Sequence, residues 1–152
     1  MRVVLQRVSQ ASVSIDNKVK SEISKGLLLL LGIEPEDGQD DIEWLCKKIV
    51  QLRIFNDDDE KMNHSLQDID GEILIISQFT LLAKCKKGNR PSFIDAARPD
   101  IAIPLYNFFL KEMEYQLGKP VGSGEFGADM KVQLINDGPV TIILDTKQKD
   151  LF

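Results

Sequence analysis

Histidine, cysteine and tryptophan are nearly missing, with one His, two Cys and one Trp in 152 residues. The single histidine, His64, sits in a polar stretch with no nucleophile or acid partner beside it, which disfavours a histidine-based triad. Cys46 falls inside a helical pattern and Cys85 among lysines. Without a CxxC or His-bearing spacing they make neither a metal site nor a disulfide framework. Cys46 is expected in the core, and Cys85 as an exposed bystander rather than an activated thiolate. Long apolar runs are also absent. The longest, Gly26 to Ile33, is too short to cross a membrane, and the opening MRVVLQRV has neither a signal core nor a cleavage pattern, so no membrane association and a cytoplasmic location are expected. Positive charge is in deficit, 19 Lys and Arg against 24 Asp and Glu for a net −5, which argues against strong non-specific nucleic-acid binding.

What is present is ordinary for one globular unit. Hydrophobic residues make up 43% and charged residues 28%, and a chain of this length buries a core without a staple, so residues 1–152 are expected to form a single domain. Met1 to Val8 alternates like a strand. Ala11 to Ile15 and Val19 to Ile23 predict a hairpin about Asp16-Asn17-Lys18, and Gly26 to Ile33 a fully buried strand. Asp40 with Glu43 resembles a helix-capping arrangement, followed by Ile42, Leu45, Cys46, Ile49 and Leu52 at helical spacing; Trp44 lies off that stripe. Asp57 to Glu60 predicts an exposed turn with Lys61 to Asn63 pairing back. Asp70-Gly71 has the form of a hairpin turn that launches the next strand.

A second helix is expected from Pro99, or from Pro104 if that proline starts the regular turns, to Gly118, with Leu105, Phe108, Phe109, Met113 and Leu117 inward. Met130, Val132 and Leu134 alternate in one strand and Val140 to Asp145 form another, joined by Asn136-Asp137-Gly138-Pro139. The expected fold is α+β, a twisted, mostly antiparallel sheet or partial β-barrel with two main helices.

Two stretches carry the chemistry. In EILIISQFTLL, Glu72 to Leu82, a β-branched core strand delivers Ser77, Gln78, Phe79 and Thr80 on a rigid element, where substrate-holding groups are best placed. The plain alternative is that these hydroxyls satisfy backbone groups at a strand end. Lys84, Lys86, Lys87 and Arg90 follow directly, and Pro91 biases Arg90 towards an extended conformation. Gly138-Pro139 is an odd hairpin corner, since proline cannot donate to the ladder, and the base rate for X-Pro bonds favours a trans peptide there.

In order along the chain, QRVSQASVSI (Gln6 to Ile15), the GLLLLLGI strand, SQFTL (Ser77 to Leu81), NRPSF (Asn89 to Phe93), FGADM (Phe126 to Met130) and NDGPVT (Asn136 to Thr141) resemble the D-aminoacyl-tRNA deacylase family of the bacterial and eukaryotic type. The resemblance runs from Met1 to about Leu144. Departures are Gly127 where the family has alanine, Pro104 in the helix, and a tail from Lys147 to Phe152.

The resemblance implies hydrolysis of the ester between a tRNA 3′-terminal adenosine and a D-amino acid or glycine, with neither cofactor nor metal. It also implies a homodimer in which a cis Gly138-Pro139 enters the partner's site. Carried over, Ser77, Gln78, Phe79 and Thr80 are the catalytic wall, Gly138 and Pro139 present carbonyls to the amino-acid end, Phe126 lies near the adenosine, and Met130 closes the pocket. Thr80 is a candidate nucleophile, but a threonine hydroxyl is weak without a base and none stands in the motif. The preferred expectation is therefore substrate assistance by the terminal 2′-hydroxyl. The alternatives are a non-catalytic RNA- or nucleotide-binding module and an esterase that uses Thr80 covalently.

Overall fold

The computed structural model describes residues 1–151; Phe152, the last residue of the tail, lies outside the described residues. The strands are β1 (Arg2–Ile15), β2 (Lys18–Ile23), β3 (Gly26–Gly32), β4 (Phe55–Asn56), β5 (Met62–His64), β6 (Glu72–Ser77), β7 (Gly122–Ser123) and β8 (Lys131–Asp145). Two α-helices, α1 (Gln39–Gln51) and α2 (Pro99–Leu117), complete the core of the molecule. The main sheet runs β2-β1-β3-β6-β7, with β8 on the other edge of β1; β4 and β5 pair separately. The sheet curls until Lys20 of β2 donates to the carbonyls of Ser123 and Gly124 beside β7, at 3.3 and 3.0 Å, so the barrel is nearly closed.

Strand alternation sorts side chains into two cores. Leu27, Leu29 and Leu31 of β3, with Ile73 and Ile75 of β6, face the helices and meet Ile42, Leu45, Ile49, Phe109 and Met113. Leu28, Leu74 and Ile76 point the other way, into the barrel with Val8, Val13 and Ile23. A strand buried on both faces cannot alternate polar and apolar residues, hence the unbroken leucine run of β3.

Several sequence expectations change in detail. The β1–β2 turn has only two residues, Asp16 and Asn17, both at positive φ (50° and 62°), and Lys18 already belongs to β2. The capping pair of helix α1 lies two residues earlier than expected, because Gly38 is its cap; the Gly38 N–H donates to Asp41 Oδ2 at 3.0 Å, so Asp41 does what was expected of Glu43. Strand β6 runs parallel to β3, so Asp70-Gly71 ends a crossover and is no hairpin. Helix α2 begins at Pro99 and contains Pro104, whose missing N–H falls near the exposed first turns where water can serve the freed carbonyl. Trp44 lies on the flank of α1 under the ammonium groups of Lys48 and Lys149, 5.8 and 5.2 Å from its ring centre. Cys46 is buried, which pushes its thiol well above the ordinary range, and Cys85 is exposed.

The largest correction concerns the C-terminal strand pair. Lys131–Asp145 is one strand that pairs antiparallel with β1 on both sides of residues 137–140. Gln6 faces Thr141 and Val8 faces Asn136, so Asp137, Gly138, Pro139 and Val140 stand opposite Arg7 alone. The segment is an enlarged β-bulge and not a hairpin corner. Turn residues and a proline do belong in such an interruption, because a bulge releases the ladder's demand for N–H donors.

Candidate functional site: an apolar cavity at the end of β6

Strand β6 ends at Ser77, paired with Leu31, and the Gln78 N–H extends the ladder by one bond to the Leu31 carbonyl at 2.7 Å. The chain then tightens into a 3₁₀ turn, Phe79–Leu82, so the polar stretch is half strand end and half turn. Its back is clamped: Arg2 Nη1 donates to the Leu81 carbonyl at 2.8 Å, while Arg2 Nε and Nη2 donate to Asp145 Oδ2 at 3.0 and 2.8 Å. In a 3₁₀ turn the first N–H groups have no partner within the turn, here those of Phe79 and Thr80.

In front of this wall lies a cavity of about 560 Å³. Ser77, Gln78 and Phe79 form one side; Phe93, Ala96, Ala97 and Ala102 form another; Phe126, Met130 and Val132 close a third over a floor of Leu31 and Ile76. The lining is mainly apolar. Phe79 stays 54% exposed and meets Phe93 edge to face, ring centres 5.1 Å apart. Phe126 leans on Tyr106 at 6.1 Å, and the Tyr106 hydroxyl, its pKa pushed up to about 12 by burial, donates to the Ile75 carbonyl at 3.0 Å on β6. Helix α2 thus anchors both Phe126 and the strand that carries the wall.

Five of the expected residues therefore share one cavity: Ser77, Gln78, Phe79, Phe126 and Met130. Thr80 does not line it; Thr80 is exposed, and its Oγ1 accepts a short hydrogen bond from Gln78 Nε2. Gly138 and Pro139 do not line it either. They project from the exposed bulge of β8, where the Gly138–Pro139 peptide is cis, against the base rate.

The bulge is tightly held. Arg7, 7% exposed, donates from Nε to the Asp137 carbonyl at 2.7 Å and from Nη1 to the Ile54 carbonyl at 2.8 Å and Asn56 Oδ1 at 3.1 Å. Asn136 closes the loop from inside, its Oδ1 accepting the Val140 N–H at 2.8 Å. Gly138 has φ of +146°, and a Cβ there would sit 2.8 Å from Val140 Cγ2, so no other residue fits. Gly127 has φ of +80°, a left-handed turn position that suits glycine better than alanine.

Sequence reasoning missed Arg7 and Asn136. A charged residue at an otherwise apolar, alternating position of β1 was the available signal for Arg7. It also missed Ala96, Ala97 and Ala102, whose small side chains leave the cavity open and give no motif of their own. Among the described residues no group of three or more His, Cys, Asp or Glu is placed to hold a metal ion, and no helix is long and apolar enough to cross a membrane.

Fold and site together define a small α+β near-barrel with a mainly apolar cavity beside the end of β6, and with no base in hydrogen-bond contact with its hydroxyls among the described residues. The family model described as D-Tyr-tRNA(Tyr) deacylase matches residues 4–145. A D-aminoacyl-tRNA deacylase from Bacteroides thetaiotaomicron is 62% identical over 150 residues, 99% of this chain and 100% of the relative. One from Flavobacterium psychrophilum is 63% identical with the same coverage.

Among solved structures, a c-Myc DNA Unwinding Element Binding Protein superposes with a TM-score of 0.89 at 41% identity, over 96% of this chain and 99% of that one. A probable eukaryotic D-amino acid tRNA deacylase has the same fold, TM-score 0.80 at 20% identity, over 94% and 97% of the two chains. The chain belongs to the D-Tyr-tRNA(Tyr) deacylase family.

Proposed function

We propose that the protein hydrolyses the ester between a D-amino acid, or glycine, and the 3′-terminal adenosine of tRNA, releasing free tRNA. The observation that carries this reading is the apolar cavity walled by the Ser77–Phe79 backbone in a chain of this family. Water adds to the ester carbonyl, the Phe79 N–H on the cavity wall receives the developing oxyanion, and the ribose 3′-oxygen leaves with a proton. The neighbouring 2′-hydroxyl orients or activates that water, because Thr80 has only an amide as its partner and an amide is no base. Phe126 serves the adenosine, and Met130 closes the pocket.

A proofreader must accept many D side chains and refuse every L one, so the selection belongs to rigid backbone around Cα and not to side-chain contacts. Refusal by ten-thousandfold requires only about 5.5 kcal/mol. Glycine, with nothing to clash, passes. Gly138 and Pro139 supply the opposing backbone from a second copy in a homodimer. This assignment is supported by their exposure away from their own cavity, by β8 having no strand on its outer edge among the described residues, and by Ile135 and Ile143 standing 52% and 48% exposed there. Residues 1–152 act as one unit in the cytoplasm, where charged tRNA is used.

The direct test is ester loss from D-tyrosyl- and L-tyrosyl-tRNA. We expect D-selective release, Thr80→Ala retaining most activity, and substrate ending in 2′-deoxyadenosine losing it. The reverse pattern, with an acyl-Thr80 adduct, supports the esterase alternative. The likeness to a DNA-unwinding-element binding protein favours one other reading, a non-catalytic nucleic-acid module; tRNA binding without D-selective hydrolysis would establish that instead.

A further inference from the structure

We propose that Lys86, Lys87 and Arg90 form an arm that grips the phosphodiester backbone of the RNA strand leading into the cavity. The inference rests on the deacylase reading and says how that site holds a macromolecular substrate.

The charge distribution points there first. In a chain of net charge −5, the stretch 84–91 carries four cations and no acid, and all of it is exposed. Its base is fixed. Lys84 and Ser92 exchange backbone hydrogen bonds at 2.8 and 3.0 Å, and Lys84 Nζ pairs with Asp95 at 2.6 Å. One cation is thus consumed in holding the loop, while Lys86, Lys87 and Arg90 have no carboxylate partner among the described residues.

Placement supplies the second argument. The loop is spliced into the cavity rim, because Phe93 follows Arg90 by three residues and meets Phe79 across the mouth. Aromatic faces beside a cationic track are what single-stranded nucleic acid needs: rings take unpaired bases and the cations take phosphates. A flat acidic protein surface would use the lysines but leave the aromatic rim and the cavity behind it without a role.

The test compares Lys86→Ala/Lys87→Ala/Arg90→Ala with Lys18→Ala/Lys25→Ala/Lys111→Ala, a control that removes equal charge from exposed sites elsewhere. At about 0.1 M salt the arm variant is expected to raise KM for D-tyrosyl-tRNA by about tenfold or more, and to make the dependence of log(kcat/KM) on log salt shallower by about 2, the slope expected for three single-strand phosphate contacts. The control should move neither. Hydrolysis of a D-tyrosyl ester on a CCA trinucleotide, too short to reach along the arm, should change far less and reports that the arm variant is folded.

An arm variant that matches the control in both KM and salt slope overturns the inference. If the native protein hydrolyses no D-tyrosyl-tRNA, the deacylase reading fails by itself. Uncharged tRNA binding by the same variants then decides the arm: a weaker, less salt-sensitive complex supports it, and unchanged affinity overturns it.

Discussion

Arg7 is a charge kept almost wholly out of water, and its compensation is three hydrogen-bond acceptors, the carbonyls of Asp137 and Ile54 and the amide oxygen of Asn56, with the Asp137 carboxylate 4.0 Å away. Removing it would orphan buried carbonyls as well as delete the charge, a loss of about 3 kcal/mol. If its work is to hold the bulge in shape, Arg7→Ala should also lower the ratio of D- to L-tyrosyl-tRNA hydrolysis, since loosened backbone selects poorly. A variant that loses stability in a urea titration but keeps its full D/L ratio would make Arg7 a structural residue only. Gly138→Ala should be as damaging, because the clash is with the chain's own Val140. At this scale residue type marked Gly138-Pro139 as unusual, but the hairpin corner and trans bond read from it gave way to a bulge and a cis peptide, the latter implied only by the family resemblance. The sequence was not legible where the role depends on a distant partner, as for Arg7, whose acceptors lie 47 to 130 residues away.

Among the elements, helices and buried strands were readable because their periods are local, and α2 kept both its Pro99 start and its Gly118 stop. Strand β8 was misread as two strands for a physical reason: Asn-Asp-Gly-Pro is turn chemistry, and only the pairing with β1 on both sides of the bulge shows that the chain resumes its direction. The β4–β5 ribbon allows a pH test. Asn63 Nδ2 donates to Asp57 Oδ2 at 2.6 Å and the Lys61 and Asp59 N–H groups donate to Oδ1, which together hold the Asp57 carboxyl below its ordinary 3.8. A depressed folded-state value means that the contribution is complete above 3.8 and is lost as the pH falls through the lower folded value. The gap in urea midpoint between the native protein and Asp57→Ala should therefore shrink in strong acid; a gap independent of pH removes the linkage.

For the whole molecule, the proposed site is complete only when two copies meet, and this has a consequence for mixtures. Phe79→Ala should disable the cavity wall it belongs to, and Gly138→Ala the bulge offered to another copy. Each homodimer then lacks both sites, whereas a dimer mixed from the two variants has one intact site. Co-refolded variants should recover up to about a quarter of native activity, half of the dimers being mixed with one site of two each, a combinatorial signature of closed twofold assembly. No recovery, with dimers verified by mass, means that each site is made within one chain. Fold class and the Ser77 to Phe79 wall were legible from one chain's pattern, Phe126 and Met130 only through the family resemblance, and residue pattern alone does not mark which copy completes which site.

Strand β8 carries Val132 near its start, just after Met130, and Gly138 in its bulge, with in-register β pairing from Lys131 to Ile135 between them. At about 3.3 Å per residue, the six steps from Val132 to Gly138 span at most about 20 Å. The strand is accordingly a ruler: the distance between the pocket a chain keeps and the bulge it offers is written in a count of peptide units, and no side-chain repacking can rewrite it.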